Sequence, residues 1–169
     1  MAETSPNASD DFDDPLNDFE PTEYSSELHR ALAEDTVAAI QSSPFIQVTS
    51  ESSIHDAHQA LEELSASSLL VVEGEKLVGI FTERDFLEKV ADRISQLSQE
   101  PVRDVMTSNP SVVYESDPVG TAVAAIAVEG HRHVPVLKLD GSVMGIVSPK
   151  RILRFLEERM ASSAQGENG

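Results

Sequence analysis

Gly79-Ile-Phe-Thr-Glu-Arg-Asp85 returns 66 residues later as Gly145-Ile-Val-Ser-Pro-Lys-Arg151. Each copy reads as the end of an apolar strand followed by a hydroxyl residue placed to start a helix. Working back from this pair, Leu69-Leu-Val-Val72 falls on Val134-Pro-Val-Leu137, and Ala57, Ala60 and Leu61 fall on Ala122, Ala125 and Ile126, both at an offset of 65. Val48-Thr-Ser-Glu-Ser-Ser-Ile54 lies over Val113-Tyr-Glu-Ser-Asp-Pro-Val119 at the same offset. Further back, Thr36-Val-Ala-Ala-Ile-Gln-Ser-Ser-Pro44 resembles Val102-Arg-Asp-Val-Met-Thr-Ser-Asn-Pro110 at 66, after a one-residue slip. The chain is a tandem duplication with a unit of roughly 60 residues, and such self-similarity decides the architecture before any single motif does.

Each unit begins with a short strand and an amphipathic helix. Ile54, Ala57, Leu61 and Leu64 hold helical spacing in the first copy, Val119, Ala122, Val123 and Ile126 in the second. Two apolar strands follow, joined by tight turns at Glu73-Gly74-Glu75 and Asp140-Gly141, which are hairpin signals. A closing helix carries Phe86, Leu87, Val90 and Ile94, or Ile152, Leu153, Leu156 and Met160. The expected fold is α/β (α+β), β-α-β-β-α twice. A domain this small buries only about 60% of its unfolded surface, so the two copies should pack about a pseudo-twofold axis, with matched strand-to-helix corners facing a shared cleft. Two pseudo-equivalent sites follow. The units are expected at 36–98 and 101–160, preceded by a leading segment, 26–35, in which a short helix is read from Tyr24 to Ala33.

The chain has 169 residues, 30 acidic and 12 basic, for a formal charge of -18, and no cysteine. The missing cysteine excludes a disulfide framework, thiolate metal sites and cysteine nucleophiles. No run approaches the roughly 18 apolar residues of a membrane span, and the start MAETSPNASDDFDD lacks a signal peptide's basic and apolar regions, so a cytoplasmic protein without a membrane role is expected. The acidity argues against nucleic acid as a partner, because phosphate backbones require a basic face. Its distribution is uneven: residues 1–36 carry eleven acids and one base, 37–100 eleven and four, 101–160 seven of each. Proline, serine and acidic residues dominate the first stretch, so 1–25 is expected to be a disordered tail, as is 161–169.

Through this duplicated corner the chain resembles the CBS domain family, and the tandem copy resembles a CBS pair, or Bateman module, in a stand-alone protein. The likeness covers residues 36–160. It is carried by the Gly-hydrophobic-hydrophobic-Thr-x-x-Asp signature at 79–85 and by Arg132-His-Val-Pro-Val136 ahead of the second hairpin. The resemblance implies a non-catalytic regulatory module, without an obligatory cofactor, that binds AMP, ADP or ATP, or in some members S-adenosylmethionine or NAD. It also implies a homodimer, as CBS pairs commonly form, and an output passed to an unidentified effector protein. Carried over by position, Thr82 and Asp85 are the polar pair of a first site, with Ile46, Val48, Leu69, Leu70 and Val71 as adenine walls. Ser148 is its counterpart in a second, with Val113, Val134, Pro135 and Val136 as walls. His133, beside Arg132, falls where a basic phosphate contact often lies, whereas the first copy has Ser67 and Ser68 there.

A ribose diol suits the two oxygens of a carboxylate such as Asp85, and a hydroxyl at a helix start suits phosphate. The same residues also read as caps: Thr82 with Asp85 as a capping box, Ser148-Pro149 as N-cap and N1. Arg151 departs from the pattern, standing where the family has an acid. With Lys150 it places two cations in the first turn of a helix, unfavourable by roughly 0.3–1 kcal/mol per charge without an anion. Two readings stay open: with Arg132 and His133 it forms a phosphate pocket opposite a sugar site at Asp85, or Lys150 and Arg151 point to solvent or pair with nearby acids such as Glu157 or Glu158. His55-x-x-His58 and His131-x-His133 lack the further ligands of a metal site. No nucleophile elbow, Walker loop or dinucleotide fingerprint occurs, so no catalytic residue is expected. The alternative is a scaffold of the same fold with empty sites, working through its acidic tail.

Overall fold

A computed structural model of the chain describes residues 24–166, with side chains as far as Ser162. The expected N-terminal tail lies outside the described residues up to residue 23, and so do residues 167–169. The described chain opens with α1 (Glu27–Glu34), capped by the Ser26 hydroxyl, which accepts from the His29 amide at 3.2 Å. Then come β1 (Gln47–Thr49), α2 (Ile54–Glu63), β2 (Ser68–Glu73), β3 (Lys76–Thr82) and α3 (Glu83–Lys89). A 3-10 turn, the short α4 (Ile94–Leu97) and β4 (Thr107–Ser108) lead to β5 (Val113–Tyr114), α5 (Val119–Ala127), β6 (Val134–Leu137), β7 (Val143–Val147) and α6 (Pro149–Gly166). The β-α-β-β-α order occurs twice in a mixed α/β fold.

Two boundaries differ from the sequence reading. The closing helix of the first unit does not run through to Ile94. At Val90, buried in the core, the chain tightens into a 3-10 turn in which the Arg93 amide donates to the Val90 carbonyl at 2.8 Å. Conversely, α6 continues past Met160 into the segment expected to be disordered and is described as far as Gly166.

The first sheet has the order β1-β2-β3-β4, the second β5-β6-β7. In each, the opening strand runs parallel to the next, with Val48 opposite Val71 and Val113 opposite Val136. β2 is apolar on both faces, as expected of a strand covered on both sides. Leu69 and Val71 enter the first core, while Leu70 meets Ile80 and Ile146 in the layer between the repeats.

The segments that open the two repeats cross over. Val37 and Ile40, from the start of the first repeat, are buried in the second core beside Val113, Val134 and Val147; Val102 and Val105 are buried in the first beside Leu69 and Phe81. Each such side chain contributes about 1.5–3 kcal/mol relative to exposure, so neither unit is complete without the other's arm. Backbone bonds repeat the exchange: Val37 donates to the Asp117 carbonyl and Val102 to that of Ser52, each at 2.8 Å. Thr36 bridges Pro118 as Pro101 bridges Ser53. These pairs give an offset of 65 from the start of the unit. The 66 read for Thr36–Pro44 is therefore corrected by one residue, the two prolines having drawn the alignment out of register. Lys76 bridges Ser142, its own counterpart, on the pseudo-twofold axis.

The signature glycines are where the arms cross. A Cβ on Gly79 would strike the Met106 side chain, and one on Gly145 the carbonyl oxygen and side chain of Ser42. Ser42 also accepts from the Ile146 amide at 3.0 Å, the counterpart of the β3–β4 pairing of Ile80 with Thr107.

Candidate functional site

At the first corner, the last residue of β3 caps α3. Asp85 donates its amide to the Thr82 hydroxyl at 3.1 Å and accepts from the Thr82 amide at 3.0 Å, a complete capping box. The Asp85 carboxylate is buried, and both oxygens are engaged. One accepts from the Thr82 hydroxyl at 2.7 Å, the other from Lys89 Nζ at 2.6 Å and the Thr107 hydroxyl at 3.0 Å. Lys89 also donates to the Val105 carbonyl at 2.8 Å. A carboxylate has about four acceptor positions, and here all four are taken. The diol-binding role carried over to Asp85 meets a carboxylate already spent on a cap, a lysine and the crossing arm.

The second corner is built with the opposite charge. Arg151 donates to the carbonyls of Ser42, Ile146 (2.6 Å) and Pro44 (2.5 Å), so its guanidinium clasps the arm where it passes over β7. It does not pair with Glu157 or Glu158; Glu158 pairs instead with Arg154 at 3.0 Å. Burial pulls the Arg151 pKa below its ordinary value, yet an arginine stays charged at any working pH.

Beside this clasp is a cavity of about 350 Å³, within the range of small-molecule sites. Pro44, Phe45 and Ile46, entering β1, form one wall. The turn between α2 and β2, Leu64 to Ser68, forms another; the third comes from the second repeat, with His133, Ile146, Ser148 and Arg151. Phe45, Ile46, Ala66 and Ile146 make it apolar, and Leu64, 67% exposed, turns its side chain to the same space. Ser65, Ser67, Ser68 and Ser148 supply hydroxyls. Ser65 holds a left-handed φ of 49°, uncommon for a residue with a Cβ. Among the described residues none that lines it is an acid. His133 is pushed below its ordinary pKa first by burial and then by the charges of Arg132 and Arg151, against the pull of Glu83. The imidazole is therefore neutral at pH 7, and an arriving anion would raise its pKa.

Of the residues singled out in the sequence, the structure gathers Ile46, His133, Ser148 and Arg151 around one cavity. The other candidate walls lie elsewhere. Leu69 and Val71 are in the first core with Val48 packed against it, Leu70 is between the sheets, and Val113, Val134 and Val136 are in the second core. Pro135 is buried in β6, and Arg132 is exposed outside the cavity. Each expected site had combined its own repeat's wall and corner; the cavity instead joins the first repeat's wall to the second repeat's corner. Phe45, Leu64, Ser65 and Lys89 were not anticipated. Lys89, four residues after Asp85 on one helix face, carried a readable signal. The two histidine pairs are occupied otherwise: His58 stacks on Phe86 at 3.8 Å, and His131 pairs with Glu129 at 3.1 Å. Among the described residues no helix is long and apolar enough to cross a membrane.

Comparison with known proteins places these features. The model of the CBS domain matches residues 37–92 and again 102–158. An uncharacterised 17.7 kDa protein of Acidianus ambivalens is 33% identical over 104 residues, 61% of this chain and 62% of its own length, so the match leaves more than a third of that relative unaccounted for. Among solved structures, a protein with CBS domains from Burkholderia ambifaria superposes with a TM-score of 0.62 at 29% identity, covering 70% of this chain and 91% of that one. CBSX2, solved in complex with AMP, does so with 0.59 at 26%, covering 70% and 93%.

Proposed function

The chain belongs to the CBS-domain family, as a tandem pair, and we propose that it is a cytoplasmic regulatory module sensing an adenosine-containing nucleotide of the AMP, ADP and ATP class in the cavity between its repeats. The observation that carries this reading is the cavity's lining among the described residues: apolar walls for a base, four serines and a histidine for polar groups, one arginine and no acid, in a chain of net charge -18. The AMP bound by CBSX2 supports the ligand class. A ligand seated there touches the α2–β2 turn of the first repeat and the β7–α6 corner of the second. It therefore biases how the halves sit, which is how a binding event becomes a signal. The signal passes to an effector protein, and the module works as a homodimer.

A panel of AMP, ADP, ATP, NAD and S-adenosylmethionine tests the reading by thermal shift. At a ligand concentration of about 100 times Kd the native state gains about 2.7 kcal/mol, several degrees in Tm, and an adenine nucleotide should give it. A rise with S-adenosylmethionine or NAD alone moves the ligand class. A flat panel favours a scaffold with empty sites, a reading supported by the first corner, where the chain's own Lys89 and Thr107 occupy Asp85.

A further inference from the structure

A second cavity, of about 310 Å³, lies on the far side of the Arg151 clasp and shares Pro44, Ser148 and Arg151 with the first. Its remaining walls include Gln41 and Ser43 of the arm and Lys150, Arg154 and Glu158 of α6. Among the described residues, three cations against one acid give it a net formal charge of +2, in a chain of -18. The acid is already tied to Arg154 in an exposed pair, worth little to stability and easily exchanged. The Lys150 side chain is exposed, and among the described residues no hydrogen bond or ion pair engages it. The arginine at the boundary uses three N–H groups, two on the arm at Ser42 and Pro44 and one on Ile146 of β7, and a guanidinium has five.

We infer that this second cavity is a polyphosphate subsite: one ligand places its base and sugar in the first cavity and extends a phosphate chain past Arg151 to Lys150 and Arg154. The inference rests on the nucleotide reading above and adds to it a selectivity, for triphosphate over monophosphate. An exposed anion chain is long enough to gain from Lys150 and Arg154 only when it has more than one phosphate. Glu158 opposes it, so removing that charge strengthens binding.

Calorimetry of the full chain with AMP, ATP and inorganic tripolyphosphate at low ionic strength separates the two readings. ATP should bind about tenfold more tightly than AMP, a gain typical of charge-assisted contacts. The double variant Lys150→Ala, Arg154→Ala, at two exposed positions, should reduce that ratio to about twofold, while Glu158→Gln should widen it. Tripolyphosphate alone should bind weakly and lose its binding in the double variant. Equal affinities for AMP and ATP, unmoved by these substitutions, overturn the subsite and leave nucleotide sensing intact. Tripolyphosphate binding that depends on Lys150 and Arg154, with no response to AMP or ATP, supports the subsite and rejects the adenine ligand. Silence of ATP and tripolyphosphate alike overturns the subsite.

Discussion

Asp85 and Arg151 stand at equivalent positions with opposite charge, and both hold the arm arriving from the other repeat. Asp85 does so through Thr107 and through Lys89 to the Val105 carbonyl, Arg151 through the carbonyls of Ser42 and Pro44. If Asp85 is spent in this way, Asp85→Ala should lower unfolding free energy by about 2–3 kcal/mol, as expected for charged hydrogen bonds lost from a buried corner. Nucleotide affinity should stay within about twofold. Urea denaturation and calorimetry on one preparation check both, and a stable variant that no longer binds would restore a ribose-binding role. His133 gives a second test. Its folded pKa is lowered, so protonation favours the unfolded chain: its contribution to stability is present above the ordinary value of about 6.5 and is lost as pH falls through that value toward the folded one. A phosphate in the cavity raises the same pKa, so nucleotide binding takes up a proton and strengthens toward about pH 6. His133→Asn should flatten this dependence, and the difference in slope between parent and variant isolates the imidazole from the phosphate's own titration.

The crossing arms are the elements that make two marginal units into one structure. Gly145 lies under a backbone carbonyl and Gly79 under the flexible end of Met106. Overpacking therefore costs more at the former: Gly145→Ala should destabilise by about 2–3 kcal/mol and Gly79→Ala by about 1 kcal/mol, read by denaturant midpoint. Equal costs would mean that the Ser42 segment yields as easily as a methionine. The duplicated strands, helices and hairpins were legible because their periodicity and turn residues occur twice in one order. The exchange of arms was not, because Val37 and Ile40 look alike whether they fill their own core or the other. For the same reason the sequence exposed the cavity's second-repeat corner, through Arg151 and the serine at 148, but not its wall of Leu64 to Ser68. Which wall faces which corner depends on the packing about the axis, and no local pattern encodes it. The break at Val90 was hidden because Phe86, Leu87, Val90 and Ile94 hold helical spacing across it.

For the whole molecule, the helices that close the repeats leave matched apolar residues outside. Leu87 on α3 is 68% exposed, and Leu153, 66 residues on, is 58% exposed on α6. A second copy related by a twofold axis would cover both at once, since an isologous contact buries the same patch on each partner. The proposed dimer should therefore dissociate in Leu87→Glu, Leu153→Glu, as measured by light scattering, with the fold retained by circular dichroism; an unchanged mass would place the contact elsewhere. Calorimetric titration of the full chain beside Ser67→Trp, which fills the cavity between the repeats from an exposed position, decides whether that cavity holds the nucleotide. Saturable binding of an adenine nucleotide by the parent, and its loss in Ser67→Trp at unchanged Tm, is the result predicted here. No heat with AMP, ADP or ATP, or binding that survives the filled cavity, would contradict it.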